Sequence, residues 1–306
     1  MDCSFSQAAP LPFAAPTLSD AQQVRKIVTA AQASGNDLAF ANIYLLREKY
    51  KTSLAIQDGF LFRHYAGNSR LQGYAFPCGT GDVEAALQCI EADAATRQRN
   101  LCFCLLTEQE ATMLQTLRPG MYQFTCDPGN ADYLYRQSDL ATLPGTAYHR
   151  KRNHITRFCK LYPQWTFCPL CTDNADHALQ VAADWYAGQE YTPALQHELH
   201  AIHAALQHMD ELQLHGGIIY IDAQPVAMSI ASYISPEVAD VHYEKCSPAF
   251  RDAYPVINRE IAHSLPCQFI NREEDLNQPG LRQAKLSYRP CSLLQKFTAT
   301  PFHPTC

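Results

Sequence analysis

No apolar run in this chain reaches the roughly 18 residues that a membrane-crossing helix needs, although 47% of its 306 residues are hydrophobic. Its beginning, MDCSFSQAAPLPFAAPTLSD, lacks the basic start and continuous apolar core of a secretory leader. It reads as a short arm over residues 1–18. The expectation is a soluble, cytoplasmic protein with no integral membrane contact. Basic residues are also in short supply, 24 Lys and Arg against 30 Asp and Glu, for a formal net charge of −6. That balance excludes a protein that coats nucleic acid over its whole surface, while leaving room for a local basic patch. A second CxxC pair is missing, so Cys168 and Cys171 in FCPLCTD cannot build a zinc ribbon. They are packing residues or, alternatively, a redox pair. The thirteen cysteines are odd in number and irregularly spaced, which suits buried apolar fillers rather than a disulfide framework. HELHAIHAALQH lacks the HExxH arrangement. His197, His200 and His203 therefore read as one partly exposed helix face, and no metal site is expected.

What is present is a repeated order of elements. The first part reads as two helices, then a hairpin in TSLAIQDGFLFRHYA turning at Asp58-Gly59, then the strand LQGYAFP. A loop, CGTGD, leads into a helix from Val83, followed by the strand LCFCLL and a helix capped by Thr107 with Glu110 three residues on. The strands MYQFTC and DYLYRQ close this part. The later part repeats helices, a strand pair in LHGGIIYIDAQPVAMSIASYI, the strand VADVHYEKC, a loop, the helix YPVINREIAHSL and the strand CQFIN. This predicts a duplicated α/β (α+β) unit in which each central mixed sheet is flanked by helices. The element order is that of GNAT-type acyltransferase domains. The expected divisions are the arm at 1–18, a first GNAT-like domain at 19–138 and a second at 139–306. A single mixed α/β domain is the alternative.

Three stretches can carry chemistry. YHRKRNHITRFCK is the densest basic cluster, with Arg150, Lys151, Arg152 and Asn153 opening a helix, and no acidic residue falls between Leu140 and Thr172. It suits either an anion site for a phosphate-rich donor, RNA or lipid headgroup, or a solvated helix face. In VHYEKCSPAFRDAYPV, Glu244 and Lys245 end a strand and Arg251 precedes a helix start. This is where an acyl donor's pyrophosphate would meet backbone amides, but the customary glycines are missing. CGTGD in the first part has glycines but no basic residue. The third stretch, INREEDLNQPGLRQAKLSYRP, is one-third charged in a chain that is 18% charged. Glu274 and Asp275 closely follow a strand end, where ligands gather in α/β folds, and Arg282 and Lys285 project together from a helix. A carboxylate there can take a proton, and a cation can stabilise an oxyanion or bind phosphate. An ion-pair network pinning the last helix is the competing reading.

DLATLPGTAYHRKRNHITRF, YEK, INREEDL and PGLRQAKLSYRP, taken together, resemble the phosphatidylglycerol lysyltransferase C-terminal domain family, over about Asp37 to Phe297. The chain is more similar still to that family's soluble bacterial branch of unknown function. The resemblance implies tandem GNAT-like domains and transfer of an aminoacyl group from aminoacyl-tRNA. It places the GLRxxK pattern on Gly280, Leu281, Arg282 and Lys285, and the basic run on His149 to Asn153. The expected activity is transfer of an activated acyl group to an amine or hydroxyl, with the donor held between the domains. Glu244, Glu274 or Asp275 is the expected proton acceptor, Arg282 or Lys285 the oxyanion stabiliser, and Arg150, Lys151, Arg152, Asn153, Lys245 and Arg251 the donor-phosphate contacts. Aminoacyl-tRNA or acyl-CoA is the donor substrate, a small molecule or lipid headgroup is the acceptor, and no cofactor is required. An acyl-CoA dependent N-acyltransferase and a non-catalytic binding module are the alternatives, and the oligomeric state is open.

Overall fold

The computed structural model describes residues 10–67 and 71–302, so part of the expected N-terminal arm, together with Cys3 and Cys306, lies outside the described residues. The strands in chain order are β1 (Thr52–Gln57), β2 (Phe60–Ala66), β3 (Gln72–Tyr74), β4 (Cys78–Gly79), β5 (Phe103–Leu106), β6 (Tyr122–Cys126), β7 (Asp132–Arg136), β8 (Thr166–Pro169), β9 (His215–Ile221), β10 (Gln224–Ser235), β11 (Val238–Cys246), β12 (Phe269–Asn271), β13 (Ser292–Leu294) and β14 (Phe297–Pro301). They form two mixed sheets flanked by helices.

The first unit comprises residues 1–33, 46–131 and 294–306. Its sheet runs β1-β2-β3-β5-β14-β6, with β4 against β2. The hairpin turn forms at Asp58-Gly59, where both residues take positive φ (49° and 80°), as a two-residue connection between right-twisted strands demands. The Thr107 hydroxyl accepts from the Glu110 N–H, and the Glu110 carboxylate accepts from the Thr107 N–H, closing the expected cap. Leu87, Ile90 and Ala94 of the helix Val83–Thr96 pack with Phe62, Tyr74 and Phe103 in the core. Each large apolar side chain buried there contributes about 1.5–3 kcal/mol. The glycines of CGTGD are packing residues: a Cβ on Gly79 would lie 2.6 Å from the Phe60 ring and from the Gly59 carbonyl, and one on Gly81 would lie 2.9 Å from the same ring.

His64 gives this unit a pH dependence. It is buried edge-on against Tyr74, ring centroids 4.8 Å apart. Burial first, and then the Arg99 charge, push its pKa down to about 4 from 6.5. Between those values the unfolded chain binds the proton and the folded unit does not, so stability is full above pH 6.5 and falls as the pH drops toward 4. The expected loss is about 3 kcal/mol. Urea unfolding at pH 7, 5.5 and 4 should show it, and His64→Gln should flatten that dependence.

The second unit comprises residues 34–45 and 132–293, with its sheet in the order β13-β7-β12-β11-β10-β9-β8. This division differs from the expected boundaries at 19–138 and 139–306 in three places. Residues 34–45, read as a helix of the first domain, belong to the second unit. So does β7, which pairs antiparallel with β12. The last strand, β14, returns to the first unit and lies between β5 and β6. Local periodicity identifies a strand, but its partners are set by contacts remote in sequence. Val256, Ile257, Ile261 and Ala262 of the helix Tyr254–Ser264 are buried with Ala239, Val241 and Ile270 in this unit's core. Among the described residues no helix is long and apolar enough to cross a membrane.

Candidate active site

The site grows from the way two parallel strands part. β11 and β12 pair at Val238↔Phe269, Ala239↔Ile270 and Asp240↔Asn271, and no further. β11 runs on to Cys246 while the chain leaves β12 after Asn271. Ligands collect beyond the carboxyl ends of such strands. The register of β11 on β10 also jumps, from Ile230↔Tyr243 to Ala231↔Val241, leaving His242 as an extra residue. A bulge of this kind re-aims the side chains that follow it. Asp240 and His242 therefore meet Asn42 and Glu273, whereas Glu244 meets Asn258 on the helix Tyr254–Ser264.

At the parting, Arg272 Nη2 donates to Glu244 Oε1 at 3.1 Å, and Asn258 Nδ2 donates to Glu244 Oε2 at 3.2 Å. The two charged side chains are almost enclosed, with 13% of Arg272 and 12% of Glu244 exposed. The Tyr135 and Tyr288 rings flank the guanidinium at 5.8 and 5.1 Å.

The loop after β12 is tight. Glu273, Leu276 and Asn277 all take positive φ (56°, 54° and 58°), a conformation that costs a leucine about 1 kcal/mol or more. Side chains hold it there. Lys285 is buried and its ammonium donates to the carbonyls of Arg272 and Glu274, at 2.5 and 2.6 Å. Burial pushes the Lys285 pKa down, partly offset by the nearby Glu273. Asp275 is fully buried. It accepts from the Tyr133 hydroxyl (2.6 Å), the Asn277 N–H (2.8 Å) and, bidentately, Arg282 (2.7 and 2.9 Å). Burial raises its pKa, but Arg282, Tyr133 and the Asn277 amide outweigh that and hold the carboxyl at about 2. Asp275 thus contributes about 2 kcal/mol of stability that is complete above its unfolded value near 4 and is lost as the pH falls through 2. Acid unfolding of Asp275→Asn should lack that share of the loss.

On the other side of the bulge, Asn42 Nδ2 donates to Asp240 Oδ2 (3.1 Å) and Glu273 Oε1 (2.9 Å). His242 Nδ1 lies 3.4 and 3.3 Å from the same two oxygens, and its Nε2 lies 2.8 Å from the Ser232 hydroxyl. Burial raises the Glu273 pKa, but His242, Asn42 and Lys285 together hold it below the usual carboxylate range. The ligand atoms of Asp240, His242 and Glu273 lie within 4.8 Å of one another, near enough to share a divalent cation. Asn42 and Ser232 already supply hydrogen bonds to this group, so it also stands as a polar network without an ion. Asn36 extends the network through its amide to Glu274 Oε2 and its N–H to Asp132 Oδ2.

The structure therefore gathers Glu244, Glu274, Asp275, Arg282 and Lys285 around the strand parting and its loop, and of the basic run it brings in Lys151, over the Tyr288 ring at 3.8 Å. Arg152 donates to the carbonyls of Leu143 and Gly145. Arg150 and Asn153 are exposed on the same helix, and Arg251 is exposed before the helix Tyr254–Ser264. Lys245 is buried, paired with Glu198 and stacked on Trp185 at 3.9 Å. Of the remaining cysteine and histidine readings, Cys171 is extended (φ −148°, ψ 174°) just beyond β8, which carries Cys168, and His197, His200 and His203 are exposed.

Sequence reasoning missed Asn36, Asn42, Asp132, Asp240, His242, Asn258 and Asn271. One signal was available: Asp240 and His242 interrupt VADVHYEKC, a strand otherwise apolar enough to be buried, and a buried polar residue needs a reason.

Comparison with known proteins agrees with this architecture. The family model for the phosphatidylglycerol lysyltransferase C-terminal region matches residues 29–300. The chain belongs to that family. A conserved protein of unknown function from Bacteroides thetaiotaomicron is 34% identical, with a TM-score of 0.91 over 95% of this chain and all of the other. The L-PGS of Bacillus licheniformis shares the fold at 11% identity, with a TM-score of 0.64 over 91% of each chain. An uncharacterized protein of Mycoplasmoides gallisepticum is 22% identical over 171 residues, and the match spans about half the length of that relative (55%). The family membership and these likenesses support a transferase-like fold.

Proposed function

We propose that the chain is an aminoacyl transferase that moves an activated acyl group from an ester donor, aminoacyl-tRNA in the first instance, to an amine or hydroxyl. The observation that carries this reading is the Glu244–Arg272 pair at the parting of β11 and β12, in a chain of the lysyltransferase family. In transfer, the acceptor's nitrogen or oxygen attacks the donor carbonyl and its proton passes to a carboxylate; the bond from that carbonyl to the ester oxygen then breaks, and the carboxylic acid returns the proton to that oxygen, which leaves as the donor's hydroxyl. Glu244 is the proton acceptor in this scheme, since Asp275 is held too acidic to serve. Glu274, bonded to Asn36, orients the acceptor. Lys285 and Arg282 fix the loop bearing these groups, so they act as positioning residues. Arg150 and Arg251, both exposed, are the surface contacts for donor phosphates, and Asn153 lies beside Arg150 on the same helix. Lys245 and Arg152 are already engaged and are left out of that role. Acyl-CoA fits less well because the stretch from Ser247 to Ala253 has no glycine to bring backbone amides onto a pyrophosphate.

The test is loss of acyl groups from a charged tRNA pool and, separately, from acyl-CoAs, each with a panel of amine and hydroxyl acceptors. Deacylation of tRNA that depends on an acceptor is expected. Turnover of acyl-CoA alone would transfer the reading to an N-acyltransferase, and no turnover of either would leave a binding module.

A further inference from the structure

Two cations share the ring of Tyr288. Lys151 Nζ lies 3.8 Å from its centroid and the Arg272 guanidinium carbon 5.1 Å from it. The anionic groups around them do not balance this charge. Glu244 supplies one negative charge against two positive ones, and each of its oxygens already accepts one hydrogen bond, from Arg272 and from Asn258, which leaves a lone pair on each for a proton. Lys151 is half-buried and makes no hydrogen bond or ion pair among the described residues. Arg272 Nη1 is buried with no partner. Ser229 faces Glu244 in the strand register, is fully buried, and its hydroxyl also has no partner. Buried donors without acceptors cost about 1–3 kcal/mol each, and more when they are charged. An ammonium removed from water either finds a counter-ion or gives up its proton. Burial does push Lys151 down to about 8, with Arg272 acting in the same direction and Glu244 offsetting part of it. The unpaired ammonium, the unused guanidinium N–H and the excess positive charge all call for the same thing, an acceptor that carries negative charge.

We propose that Lys151 and Arg272 together hold an anionic oxygen group of the substrate, either a carboxylate or a phosphate ester. Only the assignment of that group to an acyl donor or acceptor rests on the transferase reading; the anion site itself does not. A carboxylate or phosphate oxygen accepts from the Lys151 ammonium and from Arg272 Nη1, and brings the local charge toward neutrality. A lysyl side chain would add a third cation and no acceptor.

Isothermal titration of the full chain with AMP, N-acetyl-aspartate and N-acetyl-lysinamide tests this without requiring turnover. One or both anions should bind, which also tells phosphate ester from carboxylate, and the cationic probe should not. Lys151→Met keeps most of the stem over Tyr288 and should weaken anion binding at least tenfold. The charged and titratable groups facing the ammonium are Arg272 beyond β12, Glu244 of β11 and Tyr288 beyond the helix Pro279–Leu286. Wild-type affinity should decline as the pH rises through about 8, whereas Lys151→Arg should hold its affinity to pH 9. The proposal is overturned if neither anion binds, if wild type and Lys151→Met bind alike, or if the cationic probe binds best. Anion binding without any donor deacylation would retain this site and reject the transferase reading. Deacylation with no anion binding would do the reverse.

Discussion

Glu244→Gln should lower the single-turnover rate of acyl transfer by at least about 100-fold, the usual contribution of a positioned general base, with little change in donor affinity. The substitution suits the question because the site can absorb it. A glutamine oxygen can still accept from Arg272, and turning the Asn258 amide would offer its unpartnered Oδ1 to the new N–H₂ group. What disappears is the basic oxygen. Asn258→Ala should slow transfer by a smaller factor, roughly tenfold, because it removes only the group that orients Glu244. Quench-flow measurement of tRNA deacylation with a saturating acceptor separates the two. A Glu244→Gln rate within threefold of wild type would remove Glu244 as the proton acceptor and turn attention to Glu274.

The second large effect is on stability. Asp275→Ala should cost about 3 kcal/mol, because it strands the Tyr133 hydroxyl, the Asn277 N–H and the Arg282 guanidinium around a fully buried gap. For a unit of this size that corresponds to a fall in Tm of about 6–12 °C. Arg282→Ala should cost much less, since the arginine is 39% exposed and water can replace it. The asymmetry is the point of the comparison. Equal and small losses in calorimetry would mean that the pair is an ordinary surface contact and that the loop is held by Lys285 alone.

Much of the local structure was legible in the amino-acid order. Asp58-Gly59 announced its turn, Thr107 and Glu110 their cap, and the dense charge after CQFIN marked the loop that carries Glu273, Glu274 and Asp275. The presence of two mixed sheets flanked by helices could be read from the repeated order of elements. Allegiance at a distance was not legible. Asn42 sits in LAFANIYLL, a stretch whose apolar pattern suggests only a buried helix, yet its amide bonds to Asp240 and Glu273, some 200 residues away. Likewise HRKRN reads as one basic patch, but only the fold distinguishes Arg152, turned back onto backbone carbonyls, from Lys151, turned onto Tyr288. Helix periodicity reports which residues share a face. It carries no information about what that face meets.

The placement of β14 has a consequence for synthesis. The first unit's β5 and β6 leave the ribosome early, but the strand that lies between them follows about 170 residues later. At ordinary translation speeds that delay is on the order of ten seconds or more. Throughout it, the nascent sheet presents two unsatisfied edges, which invite strand pairing with neighbouring chains. A ribosome stalled between residues 132 and 293 would therefore release a polypeptide whose first unit, though translated up to Ala131, lacks the strand that joins β5 to β6.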